Sequence, residues 1–441
     1  MRFLYFVFNI FLGYSLRMYF RKIRLVNATQ SRFSSTIFVS NHPSAFMDPL
    51  IISVLRKPII FFMTRSDVFT KFSKPFLRSA HMIPIYRQHD GGNSNEKNIE
   101  SFRKATEILV GKRSLLIFGE GMTNDVFERR LKPLKKGALR IGFTTLEATG
   151  WNKEIRLVAI GCNYTNPNVM RSDLLIAEST PIILNDYKEQ YLENPSKTIN
   201  ELNRKLESAL IGVITHIKSE NDFAFHEQVM MLTRKGMNPT CFDDRYSLQQ
   251  RWAYSKDLAH FLNQYEGVLP TEIGELKSEL SLYFQRLASN GLTEKELYEY
   301  HERHTLMLFL KVVLLSPFAF LGMLHAFIPY FFVKRFVEKT FKRQVFWNST
   351  KMVITMLAMQ ILNLPLLFIL PDILGVDFWI VFAYYTSIGL LGLAWYQCRK
   401  MIQQLTAAKD SSKSRIVTEM WSERQALLKR IQELIPVNIS L

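Results

Sequence analysis

Cysteine is scarce in this chain of 441 residues. Its three cysteines, Cys162, Cys241 and Cys398, lie far apart, and no two of them form a CxxC pair. This spacing argues against a disulfide framework or a cysteine-based zinc site, and it favours a reducing, cytosol-facing location. The chain also lacks a GxSxG pentapeptide. That absence argues against a serine hydrolase built on a nucleophile elbow.

Acidic residues are outnumbered by basic ones, with 39 Asp and Glu against 56 Lys and Arg, which gives a net charge of +17. Such a chain needs an anionic partner, and nucleic acid, a membrane surface and a phosphorylated substrate all qualify. Hydrophobic residues make up 48% of the sequence, too many for a disordered protein. The length predicts at least two structural units.

Two stretches near the carboxyl end carry no charge at all, residues 352–370 and 378–398. Each is long enough to cross a hydrocarbon core of ~30 Å as a helix. The short segment between them, PDILGVD, predicts a transmembrane hairpin. Residues 334–351, just before it, hold six Lys and Arg against one Glu, so the positive-inside rule places both outer ends in the cytoplasm. The basic charge is then explained by a phospholipid surface without nucleic acid.

A third apolar run, residues 312–333, contains Pro317 and Pro329. A full crossing there would put everything before it on the opposite side of the membrane from the basic flank. We therefore expect residues 305–333 to form a re-entrant or interface-lying element. This arrangement keeps the amino-terminal region cytoplasmic.

The two ends of the chain read as helices. Residues 1–30 have a short apolar core interrupted by Arg17 and no cleavage site, which predicts an interfacial anchor and no removed signal peptide. A first helix packed on the neighbouring domain is the alternative. Residues 401–441 contain a charged amphipathic helix.

Between these ends, strand and helix patterns alternate over residues 34–220. The predicted strands are 35–40, 58–64, 82–86, 114–119, 155–164 and 173–179. The alternation predicts an α/β domain over residues 31–229, with a mixed, largely buried sheet flanked by helices. Residues 230–304 read as a helical region without a catalytic motif, in which TEKE at 293–296 is a capping box.

The stretch FVSNHPSAFMDPL places His42 and Asp48 directly after the first of these predicted strands. Open α/β sheets bind ligands at the carboxyl ends of their strands. A histidine there can act as a general base if a carboxylate fixes its tautomer and supports the imidazolium. Taken alone, the pair is better explained as a turn residue and a helix cap.

Other strand ends offer groups that suit an anionic ligand. Glu120 and Gly121 follow the strand in LLIFGEGMTND, where glycine permits a tight turn and close approach of a ligand. Arg87 ends MIPIYR, and arginine presents a forked donor set that matches phosphate oxygens. Arg65 in TRSD and Lys136 in LKPLKKGA add further positive charge. No set of metal ligands is evident.

The order of the motifs NHPSAFMD, FFMTRSDVF, MIPIYR, IFGEGMTND, LKKGA and LVAIGCNY resembles the PlsC-type glycerolipid acyltransferases. The resemblance covers roughly residues 34–220. It implies transfer of an acyl chain from acyl-CoA or acyl-carrier protein to glycerol 3-phosphate or 1-acylglycerol 3-phosphate (lysophosphatidate). The acyl thioester is a co-substrate, and no cofactor or metal is implied.

The same resemblance implies a role for each motif. His42 takes the proton of the acceptor hydroxyl and Asp48 orients it, while Arg87 and the Glu120–Gly121 turn help bind the phosphate-bearing acceptor. Arg65 and Lys136 would add to the phosphate-binding charge.

The sequence departs from the family pattern at four places. Five residues instead of four separate the histidine from the aspartate, His81 and Gly119 replace a glycine and a proline, and Ala159 replaces another proline.

These observations predict an integral membrane acyltransferase of phospholipid biosynthesis whose catalytic domain faces the cytoplasm. A lysophospholipid-remodelling acyltransferase is one alternative, and an acyl-ester hydrolase that uses water on the same His-Asp site is another. An alternative of a different class is a catalytically silent membrane scaffold, in which residues 305–441 would carry the function.

Overall fold

The computed structural model describes residues 2–28, 34–55, 59–71, 73–86, 94–265, 267–301, 305–407 and 414–437. The chain divides into two compact units. The first unit comprises Met1–Tyr14, Lys22–Pro167 and Leu174–Ile217, and the second comprises Ser15–Arg21, Asn168–Asp173 and Lys218–Leu441.

The strands are β1 (Lys22–Val26), β2 (Ser35–Ser40), β3 (Ile60–Arg65), β4 (Met82–Ile85), β5 (Ser114–Phe118), β6 (Ile155–Tyr164), β7 (Asp173–Glu178) and β8 (Ile182–Ile183). The helices are α1 (Arg2–Tyr19), α2 (Met47–Leu55), α3 (Ser73–Ser79), α4 (Ser94–Val110), α5 (Gly137–Ala148), α6 (Lys188–Glu193), α7 (Pro195–Gly212), α8 (Phe223–Thr233), α9 (Leu248–Asn263), α10 (Thr271–Ser289), α11 (Glu294–His301), α12 (Thr305–Thr340), α13 (Trp347–Asn363), α14 (Leu366–Leu374), α15 (Phe378–Ala407) and α16 (Ser414–Leu434).

The first unit is built on a mixed sheet with the strand order β1-β7-β6-β2-β5-β3-β4, and β8 pairs with β6. Neighbouring strands run parallel to each other in the part of the sheet ordered β6-β2-β5-β3-β4. Strands β7 and β8 run antiparallel to β6. Helices α4, α5 and α7 pack on this sheet. The predicted α/β class is therefore confirmed.

The central strands are buried from end to end. All six residues of β2, STIFVS, are buried, and nearly all of β6 is too. Continuous burial of this kind is typical of parallel strands covered on both faces, which is why these segments are apolar without alternation. Their carboxyl ends leave Ser40 and Phe118 side by side on β2 and β5.

The boundaries differ from the expected ones at both ends of this unit. Residues 22–26 form strand β1 of the sheet, inside the 1–30 range expected to be an anchoring helix. The unit ends at Ile217, not at 229, because α8 belongs to a separate helical core. The polar stretch QHDGGNSNEK at 88–97 is typical of a surface loop; residues 88–93 lie outside the described residues, and residues 94–97 begin α4.

The second unit contains a helical bundle that includes residues 230–304. Apolar side chains of α8, α9, α10, α11 and α16 form its core. Helix α16 is thus the element that completes this core, with Met420, Leu427 and Ile431 fully buried. The predicted capping box is present: Thr293 Oγ1 accepts from the Glu296 N–H at 3.2 Å, and Glu296 Oε2 accepts from the Thr293 N–H at 2.9 Å.

The same unit holds the apolar helices. Leu306–Thr340 and Phe378–Thr406 are each long and apolar enough to cross a membrane. The bent pair Gln344–Asn363 and Leu366–Leu374 is a third candidate if its two helices together form a single span. Gly322 of α12 meets the backbone of Leu391 in α15 so closely that a Cβ would clash. Small residues at such crossings let membrane helices approach.

The break in this region is not where we expected it. Helix α12 runs without interruption through Pro317 and Pro329, so no re-entrant turn occurs at 312–333. The helix axis bends by 43° instead between α13 and α14, inside the predicted span 352–370. Pro365 follows the break, where its missing N–H removes a helical hydrogen bond. The expected loop PDILGVD is mostly helical, and only Gly375–Asp377 separates α14 from α15.

Candidate active site

The loop after β2 brings the predicted His-Asp pair together. Asn41 anchors the start of this loop: its Oδ1 accepts from the Cys162 N–H at 2.8 Å, and its Nδ2 donates to the Cys162 carbonyl at 3.2 Å. His42 follows immediately, and its ring stacks on Phe118 at the end of β5 with centroids 4.1 Å apart. His42 is thereby fixed at the carboxyl edge of the two central strands.

The extra residue between His42 and Asp48 is absorbed by a turn. Ala45 has a φ of 44°, in the left-handed region, and the Met47 N–H donates to the Ser44 carbonyl at 2.9 Å. The chain then enters α2 with Asp48 in the first helical turn. The five-residue spacing therefore still places His42 Nδ1 only 2.9 Å from Asp48 Oδ2.

Asp48 is fully buried, yet its carboxylate is well supplied with donors. Oδ2 accepts from the Ser44 N–H at 2.9 Å as well as from His42, and Oδ1 accepts from the Tyr164 hydroxyl at 2.6 Å. An ionised carboxylate can only accept, so Nδ1 of His42 carries the proton and Nε2 is left as an acceptor. This is the tautomer that a general base needs.

Tyr164 is the residue that the sequence reasoning missed. It lies at the end of β6, in the quoted motif LVAIGCNY, and its side chain is fully buried. Arg129 holds the chain there by donating to the carbonyls of Tyr164 and Thr165 at 2.8 and 3.0 Å. The signal that could have found Tyr164 is its position at a carboxyl strand end, which it shares with His42 and Glu120.

The Glu120–Gly121 turn lies against His42. The Gly119 N–H donates to the Ser40 carbonyl at 3.1 Å, which ties the turn to β2, and Glu120 Oε1 accepts from the His42 N–H at 3.4 Å. Gly121 has a φ of 71°, which favours glycine. Glu120 is 6% exposed, and this burial raises its pKa to about 7, opposed by the charge of Lys132 at 4.0 Å.

The predicted cations are distributed differently. Arg87 lies outside the described residues. Arg65 reaches the carboxyl edge of β3 but pairs with Asp67, and both side chains are 44% exposed. Lys136 occupies the N-cap position of α5 and is exposed, whereas its neighbour Lys135 lies over Gly121.

Two departures from the family pattern have a local explanation. His81 adopts a φ of 62°, which glycine would take without strain, and its ring stacks on Tyr5 and Phe61 with centroids 4.9 and 4.6 Å away. The N–H of Ala159 donates to Ser179 Oγ at 3.0 Å, a bond that proline could not make.

The arrangement can move one proton. His42 is 19% exposed at its side chain, so Nε2 is accessible, while the supporting carboxylate is buried behind it. A hydroxyl group presented to Nε2 could be deprotonated as it attacks an electrophile, with the imidazolium stabilised by Asp48. Within the described part of the chain, no three His, Cys, Asp or Glu side chains are grouped to hold a metal ion.

Comparison with known proteins shows what the segment around His42 is similar to. Residues 22–149 match the family model described as Acyltransferase, and this segment contains His42, Asp48 and Glu120. A crystal structure of the 1-acyl-sn-glycerophosphate (LPA) acyltransferase PlsC from Thermotoga maritima is similar with 16% identity and a TM-score of 0.33, covering 47% of this chain and 80% of that one. No curated protein matches the chain. The family match and the motif order together indicate an acyltransferase domain at residues 22–149, and the motifs in it resemble those of the PlsC type.

Proposed function

We propose that this acyltransferase esterifies glycerol 3-phosphate or 1-acylglycerol 3-phosphate with an acyl chain taken from acyl-CoA. Acyl-carrier protein is the other candidate donor. The observation that supports the proposal best is the buried Asp48 at 2.9 Å from Nδ1 of His42, whose side chain is 19% exposed and whose backbone N–H donates to Glu120. Such a pair suits direct transfer between an acyl thioester and a hydroxyl group.

In this reaction Nε2 of His42 takes the proton of the acceptor hydroxyl as its oxygen attacks the thioester carbonyl. The tetrahedral intermediate collapses by breaking the carbon–sulfur bond, and the departing thiolate takes the proton back from the imidazolium. The products are the ester and the free thiol, and no acyl-enzyme forms. General acid–base assistance of this kind contributes roughly 10²–10⁴-fold to the rate.

Glu120 and the neighbouring lysines suit the acceptor. Its carboxyl group, with a pKa of about 7, can bind a hydroxyl group of the glycerol backbone in either protonation state. Lys132 and Lys135 supply positive charge around the same turn, where the acceptor phosphate would be placed. Arg87, which lies outside the described residues, remains a proposed phosphate ligand.

We propose further that the protein is integral to the membrane and that its catalytic domain faces the cytoplasm. In this arrangement α12 lies along the membrane interface, because a full crossing by α12 would place the residues before it opposite the basic flank. Within the second unit, Asn348 in the basic flank donates to Asn168 Oδ1 at 3.1 Å, and Tyr396 donates to the Met170 carbonyl at 3.3 Å. This part of the second unit would lie on the positive, cytoplasmic side. A cysteine introduced at Lys339 should react with an impermeant maleimide only after the cell is permeabilised, and labelling of intact cells would refute the orientation.

The function is tested with purified enzyme in detergent, radiolabelled acyl-CoA or acyl-carrier protein, and a panel of acceptors. His42→Ala should abolish transfer while membrane expression stays normal, and His260→Ala, a change at an exposed histidine, should transfer like the wild type. Substantial activity in the His42→Ala enzyme would refute the mechanism.

The acceptor panel separates the remaining alternatives. Product with glycerol 3-phosphate or lysophosphatidate only would support the proposal, whereas product only with other lysophospholipids would indicate a remodelling enzyme. Free fatty acid released without any acceptor would indicate a hydrolase. The family match and the assembled His-Asp pair both favour an enzyme over the scaffold alternative.

A further inference from the structure

We infer that the apolar helices of the second unit bind anionic phospholipids in preference to zwitterionic ones, through a cluster of exposed cations at the ends of their apolar stretches. The inference goes beyond the acyl-transfer reaction and rests on the proposed membrane attachment. We call these side chains the basic cluster. They are Lys334, Arg335 and Lys339 of α12, Lys342 just after it, and Arg399 and Lys400 of α15.

The protein does not neutralise the basic cluster itself. Glu338 is the only acidic residue in the segment 334–351, and it pairs with Lys351 at 2.6 Å. Within the part of the chain that the structure describes, no member of the cluster forms an ion pair or a side-chain hydrogen bond. Lys400 lies over the ring of Tyr396, with 4.8 Å between its Nζ and the ring centroid. The cluster therefore presents uncompensated positive charge to whatever lies beside the helices.

Two hydrogen bonds bring the cations of α12 and α15 to the same end of the second unit. Asn348, which follows the α12 cations in the chain, donates to Asn168 Oδ1 at 3.1 Å. Tyr396, which precedes the α15 cations, donates to the Met170 carbonyl at 3.3 Å. Because both bonds end on the same short segment, the two groups of cations lie near each other although the apolar helices separate them in sequence.

An exposed aromatic ring lies among the cations of α12. At 3.6 residues per turn, Phe332 falls on the same side of the helix as Arg335 and Lys339, and it is 66% exposed. Val333 and Val337 fall on the opposite side and are buried. A helix face that mixes apolar rings with cations is typical of the headgroup level of a membrane. The occupant is therefore a lipid, whose acyl chain covers the ring and whose phosphate meets the cations.

The charge on the headgroup decides which lipid binds. A Lys or Arg held at an anionic membrane surface strengthens binding roughly fivefold. Phosphatidylcholine carries its own cation beside the phosphate, so it gains little from the basic cluster. Phosphatidylglycerol carries no such cation, and each cation of the cluster that reaches its phosphate should add to its affinity.

The test measures the dissociation constant of single lipids from the full-length protein in non-ionic detergent by native mass spectrometry. Phosphatidylglycerol and phosphatidylcholine with the same acyl chains are the probes, and wild type should bind the first roughly tenfold or more tightly. Arg335→Gln and Lys339→Gln should each weaken binding of phosphatidylglycerol about fivefold and leave binding of phosphatidylcholine unchanged. The matched control is Arg204→Gln, at an exposed arginine of α7, which should bind both lipids like wild type.

The apolar contact is tested at Phe332. Phe332→Ala should weaken binding of both lipids by the same factor, because the ring meets acyl chains and not headgroups. Equal affinity of the wild type for the two lipids would overturn the inference, and so would unchanged phosphatidylglycerol binding in both Arg335→Gln and Lys339→Gln. If an RNA oligonucleotide or acyl-carrier protein lost affinity in these variants while the lipids did not, the surface would belong to that partner and the inference would also be overturned.

Two further measurements separate this inference from the proposed function. His42→Ala should bind phosphatidylglycerol like wild type, and excess glycerol 3-phosphate should not displace this lipid. Displacement would place the lipid in the acceptor site and overturn the inference. A headgroup preference in a protein that transfers no acyl chain would support the basic cluster while the proposed function fails. Acyl transfer without a headgroup preference would leave the proposed function standing and overturn the role of the basic cluster.

Discussion

Asp48 in the first compact unit and Glu294 in the second are buried carboxylates that each accept a hydrogen bond from a tyrosine. They differ in the other side chain that binds them. Asp48 accepts from the Tyr164 hydroxyl at 2.6 Å, and Glu294 accepts from the Tyr283 hydroxyl at 2.7 Å. The second partner of Asp48 is His42, whose side chain is 19% exposed. Glu294 is bound instead by Arg424 at 2.6 Å, and both of these side chains are almost completely buried.

We propose that this difference distinguishes a catalytic carboxylate from a structural one. In both places burial and a tyrosine hold the carboxylate in one position. Arginine keeps its charge at any physiological pH, so the pair of Glu294 and Arg424 can only stabilise the helical bundle. Histidine can gain and lose a proton near neutral pH, so Asp48 can support chemistry at the accessible Nε2 of His42.

The strongest way to break this comparison is Asp48→Asn. An amide would donate to Nδ1 and stabilise the wrong tautomer of His42, so we expect kcat to fall by roughly 10²–10⁴-fold. The unfolding temperature should change by only a few degrees because the side chain keeps its shape. Initial rates and thermal unfolding in the same detergent check both expectations, with Asp186→Asn, at an exposed carboxylate, as the control. A variant that keeps a tenth or more of its activity would contradict the role of Asp48.

Glu294→Ala should have the opposite profile. It leaves the charge of Arg424 buried without its partner, which costs about 3–5 kcal/mol of the free energy of unfolding. Transfer activity per folded molecule should stay normal. Denaturant titration of the variant beside Glu272→Ala, at an exposed position in α10, measures the loss. If activity fell while stability did not, Glu294 would belong with Asp48 and the comparison would fail.

Glu120 is a third buried carboxylate, and it lies between these two cases. Burial raises its pKa from 4.5 to about 7 in the folded protein. Because the folded state binds this proton more tightly than the unfolded chain does, the stability from Glu120 is complete below about pH 4.5 and is lost as the pH rises toward 7. The loss is at most about 3 kcal/mol.

This pH dependence can be measured with Glu120→Gln. The wild-type free energy of unfolding should fall between pH 5 and pH 8, and the glutamine variant should show a smaller fall over the same interval. Parallel curves for the two proteins would mean that Glu120 is ionised in the folded state throughout this range.

Exchanging the two tyrosines for phenylalanine sharpens the comparison further. Tyr164→Phe removes one hydrogen bond to a charged acceptor, which should cost about 1.5–3 kcal/mol of the free energy of unfolding. Asp48 would then attract the imidazolium of His42 more strongly, and the acid limb of the pH–rate profile should move to higher pH. Tyr283→Phe should lower stability by a similar amount and leave the pH–rate profile unchanged. A profile that does not move in Tyr164→Phe would assign Tyr164 a purely structural role.

The sequence predicts His42, Asp48 and Glu120 because their geometry is local. Each directly follows a strand that can be recognised from its apolar run, and neighbouring parallel strands end at the same edge of the sheet. Tyr164 could not be found in this way. It meets Asp48 across 116 positions of the chain, through the pairing of β6 with β2, which no short motif records.

Loops and prolines set a similar limit. Which lysine of LKPLKK approaches Gly121 depends on the irregular path of that loop, so the sequence favoured Lys136 where the structure brings Lys135. Proline alone also does not locate a helix break. Pro317 and Pro329 lie inside the continuous helix α12, whereas the bend lies next to Pro365.

The smallest expected effect concerns the residue that begins the helix of Glu294. Thr293 caps α11 and immediately precedes Glu294, so Thr293→Ala should cost about 1 kcal/mol of the free energy of unfolding. Thr293→Ser keeps the hydroxyl cap and should stay within a few tenths of a kcal/mol of wild type. Neither change should alter kcat, because the carboxylate of Glu294 is paired with Arg424, which stays charged and cannot take part in proton transfer. If Thr293→Ala reduced stability as much as Glu294→Ala does, the cap would be what holds Glu294 against Arg424, and combining the two substitutions should then cost no more than either one alone.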